Sequence, residues 1–228
     1  MTTMTQQRQQ PAREAGSKRS EAQPILHQRG KEIQPFGALT HYPLGLGDDV
    51  RQASVQVLNQ LLSDTMVLRD LYKKHHWQVS GPTFYQLHLL LDKHYEEQVE
   101  LVDALAERVQ TLGGVAVAMA HDVAEMTRIE RPPRGREEVP VQLSRLLDAH
   151  EAILIEARKA AKMCDEKGDP GTSDLLVSEV VRSNEMQVWF LSEHLVDTPL
   201  VHARDGKDAR AAVTPSAAAG PSAPRSGE

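Results

Sequence analysis

Cysteine is almost absent from this 228-residue chain. Cys164 is the sole thiol, so no disulfide can form within it, and a reducing compartment is expected. Aromatic residues make up only 4%, and runs of β-branched or aromatic residues long enough for strands are scarce, which argues against a sheet. Nowhere do eighteen apolar residues follow one another, so no membrane partner is expected. The first thirty residues are polar and hold no apolar core of the kind a secretory signal needs. A soluble, cytoplasmic protein is the expectation.

What remains favours helix. Hydrophobic residues reach 40%, with Leu, Ala, Glu, Gln, Arg and Val prominent. The two ends, rich in polar residues or in Pro, Ala, Ser and Gly, cannot bury enough surface to offset their ordering entropy. Residues 1–47 read as a flexible, mildly basic extension, 48–196 as the folded domain and 197–228 as a disordered tail. Residues 1–47 carry +3 and the tail is balanced, so the net −6 leaves −9 on the domain.

Within the domain, apolar positions three and four apart mark four long helices. The first opens with Asp48 or Asp49 as N-cap and carries Leu58, Leu61, Thr65, Leu68 and Tyr72 inward, ending at Val79 before Ser80-Gly81-Pro82. The second spans 82–112 and stops at Gly113-Gly114. A connection over 115–139 holds a short helix near 121–127. The third spans 140–166, and the fourth, 171–195, is expected to turn Leu175, Val180, Ser183, Met186 or Gln187, Phe190 and Leu195 inward. Two helical hairpins joined by one long crossover are the layout of an all-α, ferritin-like four-helix bundle.

Chemistry concentrates around the first turn. His88 and Asp92 are four apart on the second helix, and Asp103 and Glu107 repeat that spacing on the same broad side. Fifteen residues separate the pairs, or about 22 Å of helix, so one metal cannot take both from one helix. Two such helices antiparallel across a two-fold axis would bring His88 and Asp92 of one subunit to Asp103 and Glu107 of its mate. His76, closing the first helix, can join them. Two imidazoles and three carboxylates suit ferrous iron, and also zinc or manganese. Spacing alone leaves solvated surface charge as the competing reading. None of the ten histidines has Glu three residues earlier, the motif that builds a metal centre inside one bundle, so an intersubunit site is preferred.

The stretch "KKHHWQVSGPTFYQLHLLLDKHYEEQVELVDALAERVQTLGG", residues 73–114, closely resembles the signature region of the Dps family, the miniferritins named as DNA-binding proteins from starved cells. A His-Trp pair, Gly, Phe, Leu-His, Asp four later, Asp eleven beyond it, Ala-Glu-Arg and a closing Leu-Gly-Gly carry the resemblance, and the helix layout extends it over 49–196. The resemblance implies that His76, His88 and Asp92 are ferroxidase ligands from one subunit, and Asp103 and Glu107 those from its two-fold mate. It also implies a hollow dodecamer that oxidises ferrous iron, preferably with hydrogen peroxide, stores the ferric mineral and so protects DNA. Trp77 matches a tryptophan beside the site, able to take up a stray oxidising equivalent; simple core packing is its other reading.

The basic extension suits non-specific DNA binding, with nucleoid association, although the acidic domain opposes it. A DNA-compacting protein with little ferroxidase activity is therefore the rival function, and a shell holding zinc or manganese structurally is another. His75 reads as a residue beside the site or at the surface, while His94, His121, His150 and His194 read as surface or core. Asp165, Glu166, Asp169 and Asp174 form an acidic turn suited to drawing in cations. Arg128, Arg131, Arg134 and Arg136 add local positive charge to the crossover, and Cys164 reads as core.

Overall fold

The computed structural model describes residues 31–197. Expectations for 1–30 and 198–228, including most of the basic extension and the C-terminal tail, lie outside them. The described chain forms α1 (Asp48–Gln78), α2 (Phe84–Thr111), a short α3 (Ala120–Met126), α4 (Val139–Lys167) and α5, the last built from Pro170–Leu175, Leu176–Val181 and Arg182–Glu193. No described helix is long and apolar enough to cross a membrane. Short turns fold α1 back on α2 and α4 back on α5, and the crossover carrying α3 joins the hairpins, giving the expected ferritin-like bundle.

The inward stripes follow the 3.6-residue period. Leu58, Leu61, Leu68 and Tyr72 of α1 meet Leu87, Leu91, Leu105 and Val109 of α2, with Leu143, Ile153 and Ala157 closing the core from α4. Cys164 is buried among them, as expected. Gly47 occupies the N-cap of α1, not Asp48 or Asp49; Asp48 instead accepts from the buried Arg51 at 2.6 Å. Further along α1, Asn59 and Asp64 turn inward to hold the crossover. Asn59 pairs with Val115 and Val117, and Asp64 accepts from Thr127 and from the backbone N–H of Arg128.

The register of α5 departs from expectation. Leu176–Val181 is a π-helical stretch, which accommodates an extra residue and delays the inward stripe behind it. Val180 and Gln187 are buried as expected, but they are joined by Leu176, Asn184 and Leu191, while Leu175 and Ser183 are half-buried and Met186, Phe190 and Leu195 are exposed.

The part of the extension next to the bundle is held to it, against the expectation of flexibility through residue 47. The backbone N–H of Thr40 donates to Gly113 O at 2.8 Å, Gln34 Nε2 donates to the same oxygen at 2.8 Å, and Arg51 Nη1 donates to Thr40 O at 2.8 Å. Gly113 permits this approach: its φ is +85°, and a Cβ there would sit 2.2 Å from Thr40 O. Gly113→Ala is expected to cost more than about 1 kcal/mol through strain and displacement of this segment. Thermal denaturation, with limited proteolysis around residues 31–47, measures both effects; an unchanged profile in both would refute the assignment.

Candidate metal centre

The turn between α1 and α2 places the last residues of one helix beside the first turn of the next. Gly81 enters it at φ +92°, which an L side chain rarely adopts. His76 and His88 are thereby stacked, with ring centroids 3.8 Å apart and planes 20° from parallel. Each ring is tied to the other residue's backbone: His76 Nδ1 lies 2.8 Å from His88 O, and His88 Nδ1 lies 3.0 Å from His76 O. A carbonyl oxygen can only accept, so each Nδ1 must carry the proton. In the neutral imidazoles both Nε2 atoms therefore keep a lone pair, the form of histidine that binds a metal.

Asp92 lies one helical turn beyond His88, with its Oδ1 3.9 Å from His76 Nδ1. Lys73 forms an ion pair with the same carboxylate, and its hydrogen bond holds the Asp92 carboxyl below the usual range. The Lys73 ammonium also lies 4.4 Å above the Tyr95 ring. A cation already neutralises this carboxylate in the free subunit, in the place where a metal's charge would serve.

Asp103 and Glu107 are exposed further along α2, and neither pairs with a cation among the described residues. The subunit thus gathers His76, His88 and Asp92 and leaves the other two carboxylates about 22 Å along the helix. Among the described residues, no group of three or more His, Cys, Asp or Glu side chains closes into a metal-binding set.

Trp77 adjoins His76 and is 70% exposed, so it does not pack in the core of its own subunit. Phe84, Tyr85 and Leu89 are exposed near it on the start of α2, and the Phe84 ring lies 5.1 Å from that of His88. The turn that carries His76 and His88 opens on an apolar surface.

The remaining sequence expectations fall both ways. His75 is fully buried rather than at the surface, and burial pushes its pKa down to about 4. His94 and His150 are core residues, whereas His121 and His194 are exposed. Asp165, Glu166 and Asp174 are exposed, but Asp169 is buried and paired with Arg108, which removes it from any cation-attracting surface. Arg128 pairs with Glu156 at 2.8 Å. The histidine tethers have no sequence signature beyond the turn itself, because each is made to a backbone oxygen twelve residues away.

Comparison with known proteins agrees with this architecture. The family described as "Ferritin-like domain" matches residues 55–201. An uncharacterised protein from the bpoA2 5′ region of Kitasatospora aureofaciens is 58% identical over 148 residues, covering 65% of this chain and 99% of that protein. The DNA protection during starvation protein of Agrobacterium fabrum is 29% identical over 150 residues, covering 66% of this chain and 92% of that one. Among solved structures, DpsC from Streptomyces coelicolor aligns with a TM-score of 0.75 at 62% identity, covering 75% of this chain and all of that one.

Proposed function

Since the chain belongs to the ferritin-like Dps family, we propose that it is a ferroxidase that oxidises ferrous iron at intersubunit sites and stores the ferric product in a hollow dodecamer. Hydrogen peroxide is the preferred oxidant, and its consumption together with ferrous iron protects DNA from hydroxyl radicals. The observation that carries this reading is the reciprocal tethering of His76 and His88, which leaves two imidazole lone pairs at one turn. A surface histidine has no need of a fixed tautomer; a ligand does.

Iron is the substrate in this scheme. His76, His88 and Asp92 receive it from one side, while Asp103 and Glu107 of the two-fold mate complete the donor set. Zinc and manganese suit the same donors and would compete there. Lys73 gives up Asp92 as the metal arrives, so the carboxylate exchanges one cation for another without a change in its own charge. Each peroxide takes two electrons from two ferrous ions and two protons from solvent, leaving two waters.

The rival reading, DNA compaction with a silent metal centre, draws on the +3 of residues 1–47, but the −9 of the domain opposes approach to phosphate. Iron oxidation decides between them. Anaerobic protein given ferrous iron and then peroxide is expected to develop ferric absorbance at two ions per peroxide, and to elute as one large shell. His88→Ala is expected to slow that reaction by about 100-fold. An unchanged rate in the variant would remove the site assignment, and no oxidation in the parent would remove the function.

A further inference from the structure

The strap that precedes α1 is built to present one side chain. Pro35-Phe36-Gly37-Ala38 is a β-turn: the Ala38 N–H donates to Pro35 O at 3.1 Å, and Gly37 takes a φ of +86° at the third position. Gln34 closes its base, with Nε2 donating to Ala38 O at 2.8 Å, and Thr40 Oγ1 donates to Gln34 Oε1 at 3.0 Å. Gln34 and Thr40 both also donate to Gly113 O, which pins the loop to the end of α2. Phe36 stands at the tip, 58% exposed, and Ile33 is fully exposed on the same strap. An apolar cleft lined by Phe36, Val117 and Met119 runs from the turn to the crossover. A loop so firmly tied holds a phenylalanine out in water, which is unfavourable until something covers it.

A second uncovered apolar surface lies at the other end of α2. Trp77, Phe84, Tyr85 and Leu89 are exposed there, and no Asp, Glu, Lys or Arg occurs from His75 to Leu91. Tyr85 and Leu89 lie within about 100° of His88 around the helix, on the side that carries Asp92, Asp103 and Glu107. Nearly the whole of α2 separates this surface from Gly113, so the two are about 40 Å apart in one subunit. They cannot cover each other within it.

We infer that the Phe36 turn and its cleft receive the apolar turn of a second copy of this chain, so that each metal centre is walled by the strap of the subunit supplying Asp103 and Glu107. This inference rests on the intersubunit reading of the site, which fixes the register. In antiparallel helices His88 comes level with the partner's Glu107, and Asp92 with the partner's Asp103. Each step back from His88 is then level with one step beyond Glu107 in the partner. Pro82, six before His88, comes level with the partner's Gly113, six beyond Glu107, where the strap is tied. Tyr85 falls level with the partner's Gln110, about 4.5 Å short of that anchor. Two-fold symmetry makes the contact reciprocal, so each dimer forms it twice.

The contact removes apolar surface from water on both sides. Phe36 is covered by the partner's turn, and Trp77, exposed in its own subunit, is covered in exchange. The Phe84 ring lies 5.1 Å from that of His88, so the covered patch borders the imidazole stack. Shutting water out beside that stack strengthens the attraction between a bound cation and the carboxylates around it. The close approach at Gly113 then acquires a second role. A side chain there, striking Thr40 O, would displace the strap and uncover the partner's site as well.

Full-length protein carrying Phe36→Cys and Tyr85→Cys, treated with a short bismaleimide, tests the contact; the native thiol, Cys164, is buried. Covalent dimers on a denaturing gel are expected, because the two positions are too far apart in one subunit to be bridged. Either substitution alone should give monomers, as should Phe36→Cys with Val177→Cys, at an exposed position on α5. Benzoylphenylalanine at position 36 repeats the test without the thiol pair, should that pair impair folding. On irradiation it should mark residues 77–89, read by mass spectrometry. Trp77 emission, followed in a Trp189→Phe background, should shift to the red in Phe36→Ala as water returns. The inference is overturned by absence of dimers from a folded thiol pair, by adducts confined outside 77–89, or by unchanged Trp77 emission. Dimers from Phe36→Cys alone overturn it too, since they set strap against strap. None of these readouts needs iron. Cross-linking without ferric absorbance keeps the contact and removes the ferroxidase reading; ferric absorbance without cross-linking does the reverse.

Discussion

Shells co-assembled from His88→Ala and Asp103→Asn subunits are expected to oxidise ferrous iron although shells of either variant alone do so only weakly. On the proposed two-fold site, each centre takes His76, His88 and Asp92 from one subunit and Asp103 and Glu107 from its mate. A shell of either variant alone has lost a ligand at every centre, and the loss in each is expected to be about 100-fold. In a mixed dimer, one centre takes its histidines from the Asp103→Asn subunit and its carboxylates from the His88→Ala subunit, and so keeps all five ligands. The other centre loses two. With random pairing, half the dimers are mixed and about a quarter of all centres are intact, so activity should recover to about a quarter of the parent's.

The growth of ferric absorbance after peroxide addition measures this directly. A mixture whose rate is only the average of the two parent variants would show that the two sets of ligands do not serve a common centre. A site contained within one subunit gives that average, because no exchange of partners can repair it. The outcome therefore separates intersubunit from intrasubunit chemistry without any structure of the assembly. It also bears on why Asp103 and Glu107 stand exposed on α2 with no cation beside them among the described residues.

Much of the bundle was legible because its signals are periodic and local. Leu58, Leu61, Leu68 and Tyr72 recur at helical spacing, and Gly81 and Gly113 follow helices where positive φ is needed. The intervals from His76 to His88 to Asp92 could be read as a half-site for the same reason. Other features depend on contacts distant in sequence. His75 is buried because other parts of the fold cover α1, and its own helix carries no sign of that. The stripe of α5 was displaced by a π-helical stretch, so Asn184 and Leu191 face inward where Ser183 and Phe190 were expected. The reciprocal histidine tethers and the Tyr72–His150 hydrogen bond arise only once helices are side by side.

Asp169 shows the same limit and supports the prediction with the largest effect on stability. It looked like one of four acids on a solvated turn, yet it is only 1% exposed. Its Oδ2 accepts from Ser54 Oγ of α1 at 2.7 Å and from Thr172 Oγ1 at 2.6 Å. Its Oδ1 caps α5 through the Thr172 N–H at 3.0 Å and pairs with Arg108 Nη2 of α2 at 2.7 Å. One carboxylate thus joins α1, α2 and the turn between α4 and α5. Asp169→Ala strands the Arg108 guanidinium and two hydroxyls without their acceptor, and is expected to cost about 3–5 kcal/mol. Burial raises the carboxyl's pKa, but hydrogen bonds from Thr172 and Ser54 and the charge of Arg108 outweigh it, so the net pKa lies below 3.8. A folded value below the unfolded one means that this contribution is complete above about pH 4 and is lost as pH falls through the folded value. Asp169→Asn, which never ionises, should therefore show a flatter acid limb in a plot of melting temperature against pH, converging on the parent once the parent's carboxyl is protonated. Asp165→Ala, at an exposed acid on the same turn, is the control. If Asp169→Ala melts no lower than that control, the carboxylate does not hold the helices together, and Arg108 and Thr172 find other partners.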